Sequence, residues 1–358
     1  MPGNVATMTG AEAPVVPRAG APAKAAGPVP KLSAAPMMDW SDRHCRHFFR
    51  LLAPRALLYT EMIVADAIVR GDRARLLDFD ASEHPVALQL GGADPATLAM
   101  AARIGAEWGY DEINLNVGCP SERVQSATFG ACLMARPALV AECVAAMRAA
   151  VAVPVTVKCR IGIDDEERYE FLLGFVDAVA AAGCDTFIVH ARKAILSGLS
   201  PKQNREIPPL DYARVHRLKR DFPELRIVIN GGLTTVAATL EQLEHVDGAM
   251  LGRIAYQDSS LLAEIDARVH GGNAPREAVV LAHYVRYVAK EMESGTPFKT
   301  LTRHLLGMRA GRPGGRQWRR ALGELEGFDA LAHLVRETSA IESSEPVSRG
   351  LALAFDTL

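Results

Sequence analysis

The sequence predicts a (β/α)8 TIM barrel followed by a small all-helical C-terminal domain. Three observations carry that expectation. Short apolar runs recur eight times, amphipathic stretches separate them, and the runs stop near residue 270 while helical patterns continue. The runs are "KLSAAPM" near 31, "ALLYTEM" near 56, "VALQL" near 86 and "EINLNVG" near 112. They continue with "VTVKCRIG" near 155, "TFIVHAR" near 186, "RIVING" near 226 and "GAMLGR" near 248. They are rich in β-branched residues and often apolar at successive positions, as strands buried on both faces of a parallel sheet are.

Between the runs lie helices. "DPATLAMAARIGAEWG" opens on Asp94 as N-cap with Pro95 at the first helical position. "RPALVAECVAAMRAAV", "YEFLLGFVDAVAAAG" and "LDYARVHRLKRDF" keep the same apolar spacing of three and four. Eight consecutive units favour a closed barrel over residues 31–270. An open doubly wound sheet rarely reaches that number. Residues 271–340 read as helices only, a second domain, and residues 341–358 as a loose tail. Residues 1–30 are rich in Ala, Pro and Gly without a period. Such a segment cannot bury enough apolar surface to offset its ordering entropy, so a disordered extension is expected.

The chain has 358 residues, 49% hydrophobic and 23% charged, the balance of a globular protein with an ample core. Its net charge of −2 means that any affinity for a polyanion must come from local clustering. The six cysteines form no CxxC pair and no zinc-ligand spacing, so no metal is expected. Residues 1–30 lack the apolar segment of a signal peptide, and no apolar run approaches the roughly 20 residues that span a bilayer. The expectation is a reduced, soluble, cytoplasmic protein without a membrane partner.

In such barrels chemistry sits at the C-terminal ends of the strands. Here those ends carry Pro36, Met37 and Met38, Gln89, Asn116 to Cys119, Lys158, Arg160, His190, Asn230-Gly231-Gly232 and Gly252-Arg253. The glycines follow the seventh and eighth strands, the loops where this fold often binds phosphate with bare backbone N–H groups. Glycine allows close approach and Arg253 a bidentate charge. Ordinary turns are the plain alternative. Lys158 occupies an inward position of an otherwise apolar strand and needs an anionic or electron-rich partner. A reduced flavin, negative around N1 and O2, is one such partner. A core salt bridge, for example to Glu61, is another. His190 has no second ligand at zinc spacing, which leaves a contact to cofactor or substrate, or a satisfied core histidine. Met37 and Met38 could pad a flat ring, though methionines in barrels are mostly core.

Taken together, "APMMDWSDRHCR", "YTEM", "LQLGG", "EINLNVGCPSERVQ", "VTVKCRIG", "FIVHARKA", "GLSPKQNREIPPLDY" and "INGG" resemble the bacterial tRNA-dihydrouridine synthases, in particular their A-type branch. The resemblance runs in order over residues 31–340, and "NVGCP" and "VKCRIG" are its most specific blocks. It implies an FMN enzyme that uses NADPH to reduce the C5–C6 double bond of uridine in the tRNA D-loop, at positions 20 and 20a. It assigns FMN to Pro36, Met37, Met38, Gln89, Lys158, His190, Asn230, Gly231, Gly232, Gly252 and Arg253. It makes Cys119 the catalytic acid, giving a proton to C5 while hydride passes from flavin N5 to C6. A thiol suits the task, because an ordinary cysteine pKa of about 8.5 leaves it mostly protonated at neutral pH. The other five cysteines are assigned to packing.

Asn114 and Asn116 lie two apart on one strand and share a side. If that side is the barrel interior, Asn116 is nearer the site and could hold flavin or uracil. The stretch "SERVQSATFGACLM", with Gly130, reads as a lid.

RNA would be held by local charge. Residues 299–320 hold Lys299, Arg303, Arg309, Arg312, Arg316, Arg319 and Arg320 without one acid, a candidate phosphate surface. Arg316 and Arg319, three apart, fall on one helix face. The resemblance makes them tRNA contacts, together with Lys202 and Arg205 after the sixth strand. Two rivals remain. One is a flavin enzyme acting on a free pyrimidine, of the dihydroorotate or dihydropyrimidine type, which has no need of an arginine-rich helical domain. The other is a non-catalytic RNA-binding barrel, in which Lys158 and Cys119 have no task.

Overall fold

The computed structural model describes residues 30–126 and 128–344. The expectations for residues 1–29 and 345–358 lie outside the described residues. Eight strands form the barrel: β1 (Leu32–Ala34), β2 (Leu57–Tyr59), β3 (Val86–Gly91), β4 (Glu112–Val117), β5 (Val155–Arg160), β6 (Thr186–His190), β7 (Arg226–Asn230) and β8 (Gly248–Leu251). Each pairs in parallel with its neighbour, and β1 pairs with both β2 and β8, so the sheet closes. All eight runs read from the sequence are strands. A ninth, two-residue strand at Ile63–Val64 adds to β3.

Closure divides each strand by parity. Ile113, Leu115 and Val117 of β4, Val155, Val157 and Cys159 of β5, and Phe187 and Val189 of β6 join the apolar shell beneath the helices. Residues of the other parity point inward. Some of these form a separate apolar cluster: Ala35, Leu57, Tyr59, Ala87, Ile188, Val228 and Met250. Others are polar and still buried: Gln89, Glu112, Asn114, Asn116, Thr156, His190 and Asn230.

The predicted helices form at Pro95–Trp108, Pro137–Ala150, Tyr169–Ala181 and Tyr212–Asp221. The first is capped as expected, Thr97 N–H donating to Asp94 at 2.8 Å. Sequence periodicity did not single out the helix Arg43–Leu52, which carries buried His44, Arg46 and Arg50 among its apolar residues. After His270 the described residues form only helices, Glu277–Glu293, Phe298–Thr302, Gly315–Glu324 and Phe328–Ser344, with a 3-10 turn at Arg303–Gly307.

This helical region is joined tightly to the barrel. Asp42 caps Arg43–Leu52 by accepting from Cys45 N–H at 2.9 Å, and its carboxylate also pairs with Arg303 and His304. Gly307 lies against the barrel's last turns, and a Cβ there would run into the Tyr256 carbonyl. No helix among the described residues is long and apolar enough to cross a membrane.

Candidate active site

The site begins with register. Asn116 stands opposite Lys158 across β4 and β5, Arg160 opposite His190, and His190 opposite Asn230. The strand ends therefore bring Asn116, Lys158, His190 and Asn230 to one rim. Lys158 Nζ donates to Asn230 Oδ1 at 3.1 Å, and Asn230 Nδ2 donates to the Met250 carbonyl at 2.8 Å. Lys158 makes no ion pair among the described residues, so the salt bridge to Glu61 does not form. Burial pushes the lysine down to about 8, helped by the nearby Arg160 charge.

His190 is buried, and its ring makes no hydrogen bond among the described residues. Burial first, then Arg160, Lys158, Arg192 and Arg205, hold its pKa well below the usual histidine value. Gly231 and Gly232 have φ of +109° and +68°. A Cβ on Gly231 would sit 2.5 Å from His190 Cδ2, so the glycine leaves the ring its place. A Cβ on Gly252 would meet nothing within 4 Å, so the surrounding protein does not require glycine there. Arg253 is half-buried and pairs with Glu206 at 2.9 Å. Pro36 and Met37 are half-buried at the end of β1, while Met38 is 58% exposed.

Cys119 is held from several sides. Its N–H donates to Asn116 Oδ1 at 2.9 Å and its carbonyl accepts from Ala131 N–H at 2.9 Å. Gly130, at φ +79°, makes that last contact possible, because a Cβ would lie 2.6 Å from the Cys119 carbonyl oxygen. Arg160 Nε donates to the Gly118 carbonyl at 3.1 Å. Its Nη1 donates to the carbonyls of Lys193 and Asn204 at 3.1 and 3.0 Å. Arg160 thus ties the cysteine loop to the loop after β6. Gln125 makes a second tie, from Nε2 to Pro120 and Leu196 carbonyls at 2.8 and 2.7 Å. The segment read as a lid is a short helix, Glu122–Ser126, and a 3-10 turn, Gly130–Ala135, with Val124 and Phe129 buried. Cys45, Cys143, Cys159 and Cys184 are buried, Cys132 is half-buried, and all six cysteines are free thiols.

The mouth is cationic. Lys158, Arg160 and Arg205 all lie within electrostatic reach of the Cys119 sulfur. Burial pushes Arg160 down to about 10. Arg192 Nε is buried with no hydrogen-bond partner. Lys202 and Arg205 are exposed on the turn Gln203–Arg205, which buried Asn204 pins through both directions of an amide pair with Ile195 at 2.7 and 2.8 Å.

The basic stretch of the helical region divides. Arg303 pairs with Asp42, Arg309 with Glu277, and Arg320 with Glu324, while Lys299 donates to the Gly323 carbonyl at 3.1 Å. Arg312, Arg316 and Arg319 are exposed and make no ion pair among the described residues. They line an open cavity of about 430 Å³ with Gly311, Pro313 and Gly314. Trp318 anchors the opposite face of their helix, donating to the Leu305 carbonyl at 2.9 Å.

Sequence reasoning missed Glu112, Thr156 and the clamp role of Arg160. The signal was present in "EINLN", where every second residue of an apolar strand is polar. No group of three or more metal-ligating side chains exists among the described residues.

Residues 33–343 match the family described as dihydrouridine synthase (Dus). The chain is 57% identical over 294 residues to the tRNA-dihydrouridine(20/20a) synthase of Xanthomonas campestris pv. campestris, covering 82% of this chain and 88% of that one. It is 56% identical over 298 residues to the protein of the same name from Escherichia coli strain K12, covering 82% and 86%. The Vibrio cholerae protein of that name is 55% identical over 297 residues, covering 82% and 90%. A solved structure, 2-naphthoyl-CoA reductase with 2-naphthoyl-CoA, superimposes with a TM-score of 0.50 at 13% identity, over 68% of this chain and 50% of that one, a likeness of fold alone. The family match spans the barrel and the helical region together, and on that evidence the chain belongs to the dihydrouridine synthase family.

Proposed function

We propose that this protein is an FMN-dependent tRNA-dihydrouridine synthase that reduces uridine in the tRNA D-loop, at positions 20 and 20a, with NADPH as reductant. The observation that carries the reading is a thiol, Cys119, fixed on a strand-end loop beside a cationic rim with hardly any acid to balance it.

The residues present fit FMN. Lys158 has only a neutral amide partner and Arg192 Nε has none, so the rim is short of an anion. The loops of Gly231, Gly232 and Gly252 would take its phosphate on backbone N–H groups, with the Arg192 and Arg253 charges near one another there. His190 and Lys158 would meet the ring edge, and Met37, Pro36 and Met38 would cover a face. Gln89 has one side-chain N–H left for the cofactor, since its other N–H and its carbonyl bind Asn114 and Asn116. FMN, when bound, supplies the hydride that C6 of the uracil receives. Cys119 holds the proton that C5 requires, Asn116 sets the height of the cysteine loop, and Lys202 and Arg205 stand at the mouth for phosphates. Arg316 and Arg319 extend that grip to the helical region. Three unpaired arginines there favour RNA over a free pyrimidine. A D-loop nucleotide leaves its stack at a few kcal/mol, less than a paired one. The cell compartment consistent with such a substrate is the cytoplasm.

The test is the visible spectrum of the purified protein while NADPH and unmodified tRNA are added in turn. The flavin band should bleach with NADPH and recover faster with unmodified tRNA than with free uridine. Recovery with a free pyrimidine alone would move the protein to the small-molecule class.

A further inference from the structure

A file of buried polar side chains climbs the barrel interior from its foot to the cysteine. At the foot, Glu112 Oε1 accepts from Tyr59 Oη and from Thr156 Oγ1, both at 2.6 Å. Thr156 Oγ1 accepts from Asn114 Nδ2 at 2.8 Å, and Asn114 Oδ1 accepts from Gln89 Nε2 at 2.7 Å. Gln89 Oε1 accepts from Asn116 Nδ2 at 2.8 Å. Asn116 Oδ1 accepts from the N–H groups of Gly118 and Cys119 at 3.2 and 2.9 Å. Every member is buried, and every bond points the same way, from the cysteine loop down to the carboxyl.

The upper end cannot reverse. A backbone N–H only donates, so Asn116 must turn its oxygen upward. The oxygen of Glu112 that faces Thr156 accepts in the ionised acid, and also in the neutral acid when the proton sits on its other oxygen. Burial pushes Glu112 up to about 7, so both forms exist near neutrality, and both support the same direction. Between the ends stand three amides and a hydroxyl, each able to point either way on its own.

We propose that Glu112, about 13 Å below Asn116 by strand rise, is a positioning residue for Cys119, acting through Thr156, Asn114, Gln89 and Asn116. Without the acceptor at the foot, Thr156 turns to donate to Asn114, and Asn114 and Gln89 flip in turn. Gln89 then sets its Nε2 against Asn116 Nδ2, donor facing donor, and Asn116 can answer only by turning its Oδ1 away from the two N–H groups it serves. The hold on Gly118 and Cys119 loosens, although nothing at the mouth has been changed.

The placement of Cys119 is independent of the activity proposed above, and so is the first readout. The rate of Cys119 alkylation by iodoacetamide is followed by mass spectrometry on the cofactor-free chain, whose other cysteines are buried or half-buried. Glu112→Leu should accelerate alkylation several-fold. Glu112→Gln, whose amide oxygen still accepts from both hydroxyls, should stay within twofold of the wild type. Thr156→Val keeps the shape of the core and breaks the file in the middle, so it should match Glu112→Leu even if that variant folds poorly. In turnover with tRNA, kcat should fall about tenfold in Thr156→Val with KM for tRNA little changed. Wild-type alkylation in Thr156→Val would overturn the proposal, and so would a Glu112→Gln variant as perturbed as Glu112→Leu. Loss of alkylation control without any turnover in the wild type would instead break only the functional reading.

Discussion

The barrel interior has two unlike halves. Toward β7, β8, β1 and β2 it is filled by Val228, Met250, Ala35 and Leu57, which pack as any core does. Toward β3, β4 and β5 it holds Gln89, Glu112, Asn114, Asn116 and Thr156, joined by hydrogen bonds, with Lys158 above them reaching across to Asn230 of β7. Burying such groups contributes little net stability even when every bond is made, and a lysine with only an amide for partner is costly. The apolar half and the shell under the helices hold the barrel closed. The polar half carries the residues proposed to position the rim.

The comparison breaks most visibly at Cys119. Cys119→Ala should retain flavin and lose a hundredfold to ten-thousandfold in turnover, the usual range for removing a positioned acid. Its urea unfolding curve should match the wild type. Full activity would refute the assignment of the acid. Leu57→Ala, in the apolar half, should do the opposite, costing about 2–4 kcal/mol in stability while kcat stays within twofold. A large loss of kcat there would mean that the halves are not separable.

Outside the barrel, Arg316→Ala combined with Arg319→Ala should weaken tRNA binding roughly tenfold and flatten its salt dependence. Flavin reduction by NADPH should not change. An equal fall in flavin reduction would give the helical region another task.

The smallest effect sharpens the lysine. Lys158 falls to about 8 in the folded chain, below its unfolded value of about 10.4. The cofactor-free protein therefore gains stability as pH rises between those values, because only the unfolded chain still holds the proton there. An anion beside the ammonium reverses the preference, so flavin binding takes up a proton. The FMN dissociation constant should rise several-fold between pH 7 and pH 9, and Lys158→Met should abolish that dependence without lowering the melting temperature of the cofactor-free chain. A constant affinity across that window would separate Lys158 from the flavin.

Much of this was legible in the primary structure, and the reason is parity. Outward residues of every strand are apolar, so eight runs stand out, and polar residues among them mark the interior. The rim residues were readable because each ends a run. Glu112 and Thr156 were not, because they stand first and second in their strands, where a polar residue passes for part of a turn. Arg160 was seen at a strand end, but its partners are carbonyls of three distant residues, and carbonyls leave no trace in composition. The basic stretch was legible as charge. Its division into four engaged cations and three arginines without an ion pair among the described residues depended on Asp42, Glu277, Glu324 and the Gly323 carbonyl, two of them far away in sequence.

Gly307 carries one more consequence. Its backbone lies where no side chain fits against the Tyr256 carbonyl, and Asp42 grips Arg303 and His304 a few residues earlier. These contacts tie the helical region to the last turns of the barrel. If Arg316 and Arg319 hold RNA as proposed, the nucleotide that meets Cys119 is the one lying the matching distance along the backbone, and distance then shares in the choice of target before any base is touched.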